Sequence, residues 1–400
     1  MGHIGCQNFE PGLIGSMALH FDPAELLARI AHVTDRLRAE CLDGILLFRQ
    51  ESMYWLTGYD TAGYSQFQCL WLGADGGMLL LTRSSDVRQA KITSIIEDVR
   101  LWIDAAGANP AATLRETLGG RIRPGARIGV EFASVTLNAQ RGRMLQAAFA
   151  PDVELIDAST LIASFAVVKS PAELAYVREA GRIADEAWRQ AFAACRPGNS
   201  ESDILAEIYA TVIRSGGDPA AGRFVCGAGD NALLCRYFTG KGRIGATDQV
   251  NIEFAAAYRH YHVALMRTAL IGAATPTQRR MHEANIEALA ACRDRLRPGH
   301  SYGDLFDAHA SVLDRRGYKH ARLNACGYSL GVSYPPTWME WPMIYAGNPV
   351  ALEPGMVVFM HMILLDSETN LAMCLGETFV VTEGAPERLS TLDHDLPLVV

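Results

Sequence analysis

Glu253 stands alone in an apolar run, Val250-Asn251-Ile252-Glu253-Phe254. A carboxylate among apolar neighbours is either a structural partner for a nearby donor, here Arg267 or Tyr258, or a group whose pKa burial tunes for acid–base or nucleophilic work. His361 interrupts the otherwise apolar stretch 356–364 in the same way. Imidazole titrates near neutrality, so His361 and His262 are candidates to shuttle a proton, the alternative for each being a satisfied core histidine. Glu377 opens the strand-like stretch 378–382. Arg236 precedes the Glu253 strand, and its planar guanidinium suits bidentate binding of a carboxylate. Tyr328 lies in the glycine-rich turn Cys326-Gly327-Tyr328-Ser329-Leu330-Gly331, and Trp338 in the aromatic loop 334–341. Loops of that kind beside a site often cover ligand. His260 reads as structural and Arg267 as a brace. Cys235 and Cys326 lie nearby, but neither has a paired base, which argues against a thiol nucleophile.

These side chains need a frame to hold them. From 23 to 40, Leu26, Leu27, Ile30, Val33 and Leu37 recur at helical spacing. Strand-like runs follow at 44–48, 70–72, 77–82 and 99–103, then a helix at 111–118 and a strand at 127–130. That alternation predicts an α/β unit of about 150 residues. Lys169-Ser170-Pro171-Ala172-Glu173 marks a boundary, with Ser170 and Glu173 composed as a helix cap and Pro171 at the first helical position. Two breaks of the form Arg-Pro-Gly-x-Ser, at Pro197 and Pro298, lie 298 − 197 = 101 residues apart. Each is followed by a helix, a glycine turn (Gly216-Gly217 and Gly317) and strand-like sequence. This repetition predicts two related halves with a site between them. If 258–264 is one regular strand, Tyr258, His260, His262 and Ala264 share a face.

Composition narrows the function. The chain has 400 residues, 49% hydrophobic and 20% charged, with a net charge of −8. An acidic balance without a basic patch argues against a nucleic-acid partner and favours a small-molecule one. No run reaches the roughly 18 apolar residues of a membrane span. Nine cysteines without a C-x-x-C pair read as reduced thiols in a cytoplasmic protein. Residues 1–16 lack a basic region followed by an apolar one, so they are read as a tag or non-native arm rather than a secretion signal.

The turn at 326–331, Leu352-Glu353-Pro354-Gly355-Met356 and Gly376-Glu377-Thr378 follow the Glu253 strand in that order, and Met53-Tyr54-Trp55-Leu56-Thr57-Gly58-Tyr59-Asp60 precedes it. In this order the motifs resemble the methionine aminopeptidase, prolidase and creatinase superfamily, in its two-domain prolidase/creatinase branch. The resemblance implies an α/β (α+β) architecture: a creatinase-like N-terminal domain over 17–166 and a pseudo-symmetric pita-bread catalytic domain over 167–400. In metal-dependent members two Asp, one His and two Glu form the site. Carried over one position at a time, the first Asp falls on Glu253 and the second on Ala264. The His falls on Tyr328, the first Glu on His361, and the last Glu is kept as Glu377. Ala264 has no donor atom and a phenol is a poor ligand for a divalent first-row metal, so a standard two-metal site is not expected.

Two metal-free branches, creatinase and ectoine hydrolase, are similar in this respect. The runs 258–268 and 326–336 look closer to the second, and Glu253 stands where that enzyme carries a glutamate implicated in catalysis. Creatinase's loop histidine is replaced by Arg236 and its glutamate before Arg-Thr by Met266, so creatine is not the expected substrate. The resemblance therefore implies a metal-independent hydrolase, without cofactor, of a small non-peptide C–N bond in a cyclic amidine or amide. Glu253 would act as nucleophile or base, and His361 or His262 would move the proton. Glu377 would pair with an amidinium, Arg236 would hold a carboxylate, and Tyr328 and Trp338 would contact substrate. One alternative retains a divalent transition metal on Glu253, His262, His361 and Glu377, with Xaa-Pro peptidase-like or lyase activity. Another is an inactive binding protein. Members of the branch are homodimers in which one subunit's first domain reaches the other's site, which makes Tyr59, Asp60 and Tyr64 candidates for substrate contact in trans.

Overall fold

The side chain of Asp22 accepts from the Ala24 N–H at 2.8 Å and starts α1 (Pro23–Ala39), whose buried stripe of Leu26, Ile30, Val33 and Leu37 has the spacing read from the sequence. The computed structural model describes residues 19–238 and 240–399, in two units that meet between Phe165 and Ala166. The arm at 1–16 lies outside the described residues.

The first unit continues with β1 (Gly44–Leu47), α2 (Gln50–Thr57), β2 (Cys69–Gly73), β3 (Met78–Thr82), α3 (Val87–Thr93), β4 (Val99–Leu101) and α4 (Pro110–Leu118). It closes with β5 (Ala126–Val130), α5 (Ala139–Phe149), β6 (Val153–Asp157) and the start of α6 (Leu161–Ala166). Its six strands run in the order β4-β3-β2-β1-β5-β6, antiparallel from β1 through β3 and parallel elsewhere. Leu46, Trp71, Leu79 and Ile128 carry its core.

Buried Glu131, just past β5, holds the entry to α2. Its carboxylate accepts from the Phe48 and Arg49 N–H groups, both at 2.8 Å, and from the Ser52 hydroxyl. Burial pushes this carboxyl above its usual range, opposed by Arg49 and by these bonds. Glu131→Gln turns one acceptor oxygen into a donor facing buried donors. It is expected to lower stability by about 2 kcal/mol, read as a fall in the chemical-denaturation midpoint.

The second unit comprises α7 (Pro171–Ala194), α8 (Glu201–Arg214), β7 (Val225–Ala228), β8 (Asp248–Tyr258), β9 (Tyr261–Ile271), α9 (Pro276–Arg295) and α10 (Tyr302–Arg315). Then follow β10 (Ala325–Ser329), β11 (Glu340–Tyr345), β12 (Val357–Asp366) and β13 (Leu371–Val380). The seven strands run β11-β10-β12-β13-β9-β8-β7, and two short strands near the C-terminus, β14 (Glu387–Arg388) and β15 (Leu398–Val399), add to β13 and β9. One sheet face packs on α9 and α10 through Met360, Met362, Leu364, Met281 and Leu305.

The repeated device is visible in detail. Ser170 and Glu173 form the capping box of α7. Ser200 and Asp203 cap α8 as Ser301 and Asp304 cap α10, and both helices have 14 residues. Gly198 and Gly299 precede the caps at φ of 88° and 89°. Ser200 and Ser301 each make an isolated antiparallel bridge, to Arg243 and Ala351.

One expectation is corrected: 258–264 is not a continuous strand. Arg259 and His260 have positive φ and form a two-residue hairpin that pairs Tyr258 with Tyr261 and Ala257 with His262. Tyr258 and His260 therefore do not continue the face of His262 and Ala264. Among the described residues, no helix is long and apolar enough to cross a membrane.

Candidate functional site

Five strands bring one row of side chains together. The registers align Val225, Glu253, Met266, Gly376 and His361 across β7, β8, β9, β13 and β12. Alternation puts this row on the sheet face opposite the helix-packed residues. A cavity of about 380 Å³ opens over it, lined among others by Arg236, Glu253, Tyr328, Trp338 and His361. Five of the residues singled out from the sequence thus converge.

The Tyr328 hydroxyl donates to Glu253 Oε1 at 3.4 Å, and the Trp338 Nε1–H donates to the Tyr328 oxygen at 2.9 Å. Glu253 is paired with neither Arg267 nor Tyr258. Burial raises its carboxyl, while the Tyr328 bond and the charge of Arg236 pull it partly back, to about 7. Glu253 as a residue is half-buried and lines the cavity. Burial pushes the Tyr328 phenol well up, so it stays protonated. His361 is lowered to about 4, first by burial, with the Arg236 charge acting the same way. It is therefore neutral at pH 7, and its Nδ1 is buried with no hydrogen-bond partner among the described residues.

Arg236 sits on the loop after β7 and has no hydrogen-bond or ion-pair partner among the described residues. The loop is fixed at its base by buried Glu201. Its Oε1 accepts from the Ala228 N–H at 2.8 Å and the Asn231 amide at 3.1 Å, and its Oε2 from the Gly242 N–H at 2.7 Å. Nothing in the sequence flagged Glu201 beyond its place at the start of a helix. Two further lining residues were also missed: Arg223, whose guanidinium lies 4.5 Å over the Phe238 ring, and Phe238 itself.

His262 does not line the cavity. Its Nε2 accepts from the Ala221 N–H at 3.0 Å, and burial, then His260, lower it to about 4. It holds the segment leading to Gly222, over which the Trp338 ring lies. A Cβ at Gly222 would meet that ring at 2.6 Å.

Glu377 is a correction. The pocket-facing position beside His361 on β13 is Gly376, where a Cβ would meet Phe359 at 2.6 Å and Met266 at 2.8 Å. Glu377 points to the opposite face. It pairs with buried Arg267, accepts from Arg388 at 3.0 Å twice, and lies 3.3 Å from His394 Nε2. Burial acts to raise this carboxyl, but Arg267, His394 and Arg388 prevail and hold it at about 2. It is an internal ion-pair partner, not a group facing ligand.

Tyr59, Asp60 and Tyr64 belong to the first unit. Tyr59 is fully buried with its phenol donating to Gln68 at 3.3 Å, and burial pushes it up to about 12, so it is closed to substrate there. The Asp60 N–H donates to Thr93 at 3.1 Å, and Tyr64 is half-buried.

A metal finds few donors. The cavity offers one carboxylate, one neutral imidazole and the Cys235 thiol, which burial raises, beside Arg223, Arg236 and a protonated phenol. Among the described residues no three His, Cys, Asp or Glu side chains are grouped to hold an ion. The four ligands of a rearranged mononuclear site do not converge, because Glu377 faces the other side and His262 Nε2 is already bonded. The residues present do not fit the family's metals.

Comparison with known proteins agrees with this frame. The model of metallopeptidase family M24 matches residues 175–383, and the creatinase/prolidase N-terminal domain matches residues 29–168. The chain is similar to the ectoine hydrolase of Halomonas elongata, 25% identical over 399 residues, covering 95% of this chain and 98% of that protein. It is also similar to the Xaa-Pro dipeptidase of Pyrococcus furiosus, 23% identical over 236 residues, covering 59% of this chain and 66% of that protein. Among solved structures, dipeptidase PepE from Mycobacterium ulcerans shares the fold, with a TM-score of 0.83 at 22% identity over 95% of this chain and 99% of that chain. The two-domain pita-bread architecture implied by the motifs is the one observed.

Proposed function

Because the chain belongs to metallopeptidase family M24, yet turns a single carboxylate and a neutral imidazole toward its cavity, we propose that it hydrolyses a small non-peptide C–N bond without a metal. The observation that carries this reading is Glu253 in the cross-strand row, bonded to Tyr328 and raised to about 7. As a carboxylate, Glu253 either adds to the electrophilic carbon of an amidine or amide, or takes the proton of the water that does. The C–N bond then breaks as the departing nitrogen takes a proton; where Glu253 is the nucleophile, a water molecule then hydrolyses the anhydride left on it and frees the carboxylate. His361, neutral and lining the same cavity, passes the proton on to that nitrogen. Arg236 holds a substrate carboxylate at the cavity wall, and Trp338 supplies an apolar face. An ectoine-like cyclic amidine bearing a carboxylate suits this arrangement, and similarity to ectoine hydrolase along nearly the whole chain supports it.

Chelation tests it. After exhaustive treatment with EDTA, protein with substoichiometric metal by mass spectrometry is expected to retain its turnover of cyclic amidine carboxylates. Loss of turnover that manganese or cobalt restores, or cleavage of Xaa-Pro dipeptides under those conditions, would overturn the metal-free reading.

A further inference from the structure

The hydrogen bonds beneath the cavity have a fixed sense. Indole Nε1–H is only a donor, so the 2.9 Å contact makes the Tyr328 oxygen an acceptor. The phenol's own proton is then free to point at Glu253 Oε1. Trp338 thereby occupies one lone pair of Tyr328 and polarises its O–H as a donor, an effect that builds along a chain of bonds. With Oε1 engaged from below, Oε2 is the oxygen left to react.

We infer that Trp338 is a positioning residue: acting through Tyr328, it holds Glu253 by one oxygen and favours its ionised form. This rests on the proposed role of Glu253, but it concerns the resting protein and is tested without substrate. Other groups near Glu253 are Arg236 and Cys235 from the loop after β7, His361 on β12 and Cys374 on β13. None of them bonds Trp338. The wall behind the indole is equally specific: His262 pins Ala221, and Gly222 leaves room for the ring where a Cβ would not.

The experiment is a titration of the Glu253 carboxyl by carbon-13 labelling of glutamate, its signal assigned by its loss in Glu253→Gln. Tyr328→Phe is expected to move the midpoint up by about one pH unit, the worth of one hydrogen bond to a charged group. Trp338→Phe removes the indole N–H and is expected to move it the same way by a smaller step. The double variant is expected to match Tyr328→Phe alone, because Trp338 acts only through the phenol. Gly222→Ala, which displaces the ring while keeping its N–H, is expected to shift the midpoint upward too, and it carries the test if Trp338→Phe fails to fold. An unmoved midpoint in Trp338→Phe and Gly222→Ala, or additive shifts in the double variant, overturns the inference. Failure of the hydrolase reading would appear separately, as full turnover in Glu253→Gln.

Discussion

Glu253→Gln is expected to lower kcat/KM on a cyclic amidine substrate by about 1,000-fold or more, because the amide neither takes a proton nor forms an acyl-anhydride intermediate. The same change is expected to stabilise the folded protein above neutral pH. The folded carboxyl titrates near 7, above its usual value of 4.5, so folding holds a proton that the unfolded chain has released. Between those values stability falls as pH rises, and above about 7 the penalty is complete. Allowing for partial exposure to the cavity, Gln should recover up to about 2 kcal/mol at pH 8 and almost nothing at pH 4. The activity of the unchanged protein should rise with pH through a midpoint near 7, since the carboxylate is the working form. Denaturant melts at the two pH values and a pH–rate profile check all three statements. A variant that turns over normally, or gains no stability at pH 8, removes Glu253 from the proposed role.

Glu377→Ala should produce the largest loss of stability, about 3–5 kcal/mol, with Arg267 left as a buried charge without its partner. The pH dependence has the opposite sign from that of Glu253. Glu377 is held at about 2 in the folded state, so the stability it contributes is complete above about 4.5 and is lost as pH falls toward 2. Unfolding curves at pH 7 and pH 3 should therefore differ less in the variant than in the unchanged protein. Arg267→Met together with Glu377→Ala should recover part of the loss, as expected where the unpaired charge is the main cost. Equal stability of the single variant and the unchanged protein would show that the pair is not coupled in this way.

The elements were legible because their signals are local. The stripe Leu26-Ile30-Val33-Leu37 is a helix face, Ser170 to Glu173 is a cap written in four residues, and the two Arg-Pro-Gly-x-Ser breaks recur as two capped 14-residue helices. Glu253, His361, Tyr328, Trp338 and Arg236 stood out as polar or aromatic groups in apolar or turn contexts, and they converge on one cavity. Glu377 did not follow because alternation along a strand makes a one-residue shift in register a change of face. Only the pairing of Gly376 with His361 and Met266 fixes which side Glu377 occupies. The hairpin at Arg259-His260 was hidden because neither residue is a glycine, asparagine or aspartate, the usual markers of such turns. Glu201 and Arg223 reach their partners through loop paths that no periodicity encodes.

The cross-strand row has a consequence for how such a protein acquires new chemistry. The sheet is joined by main-chain bonds, and none of these depends on which side chain stands at Glu253, Met266 or His361; Gly376, with no room for a Cβ, is the fixed point between them. Each of those three positions works as an interchangeable socket on a rigid board. Altering one socket changes the reaction without moving the board, so a new activity is reached by a few point substitutions while the surrounding architecture stays as it was.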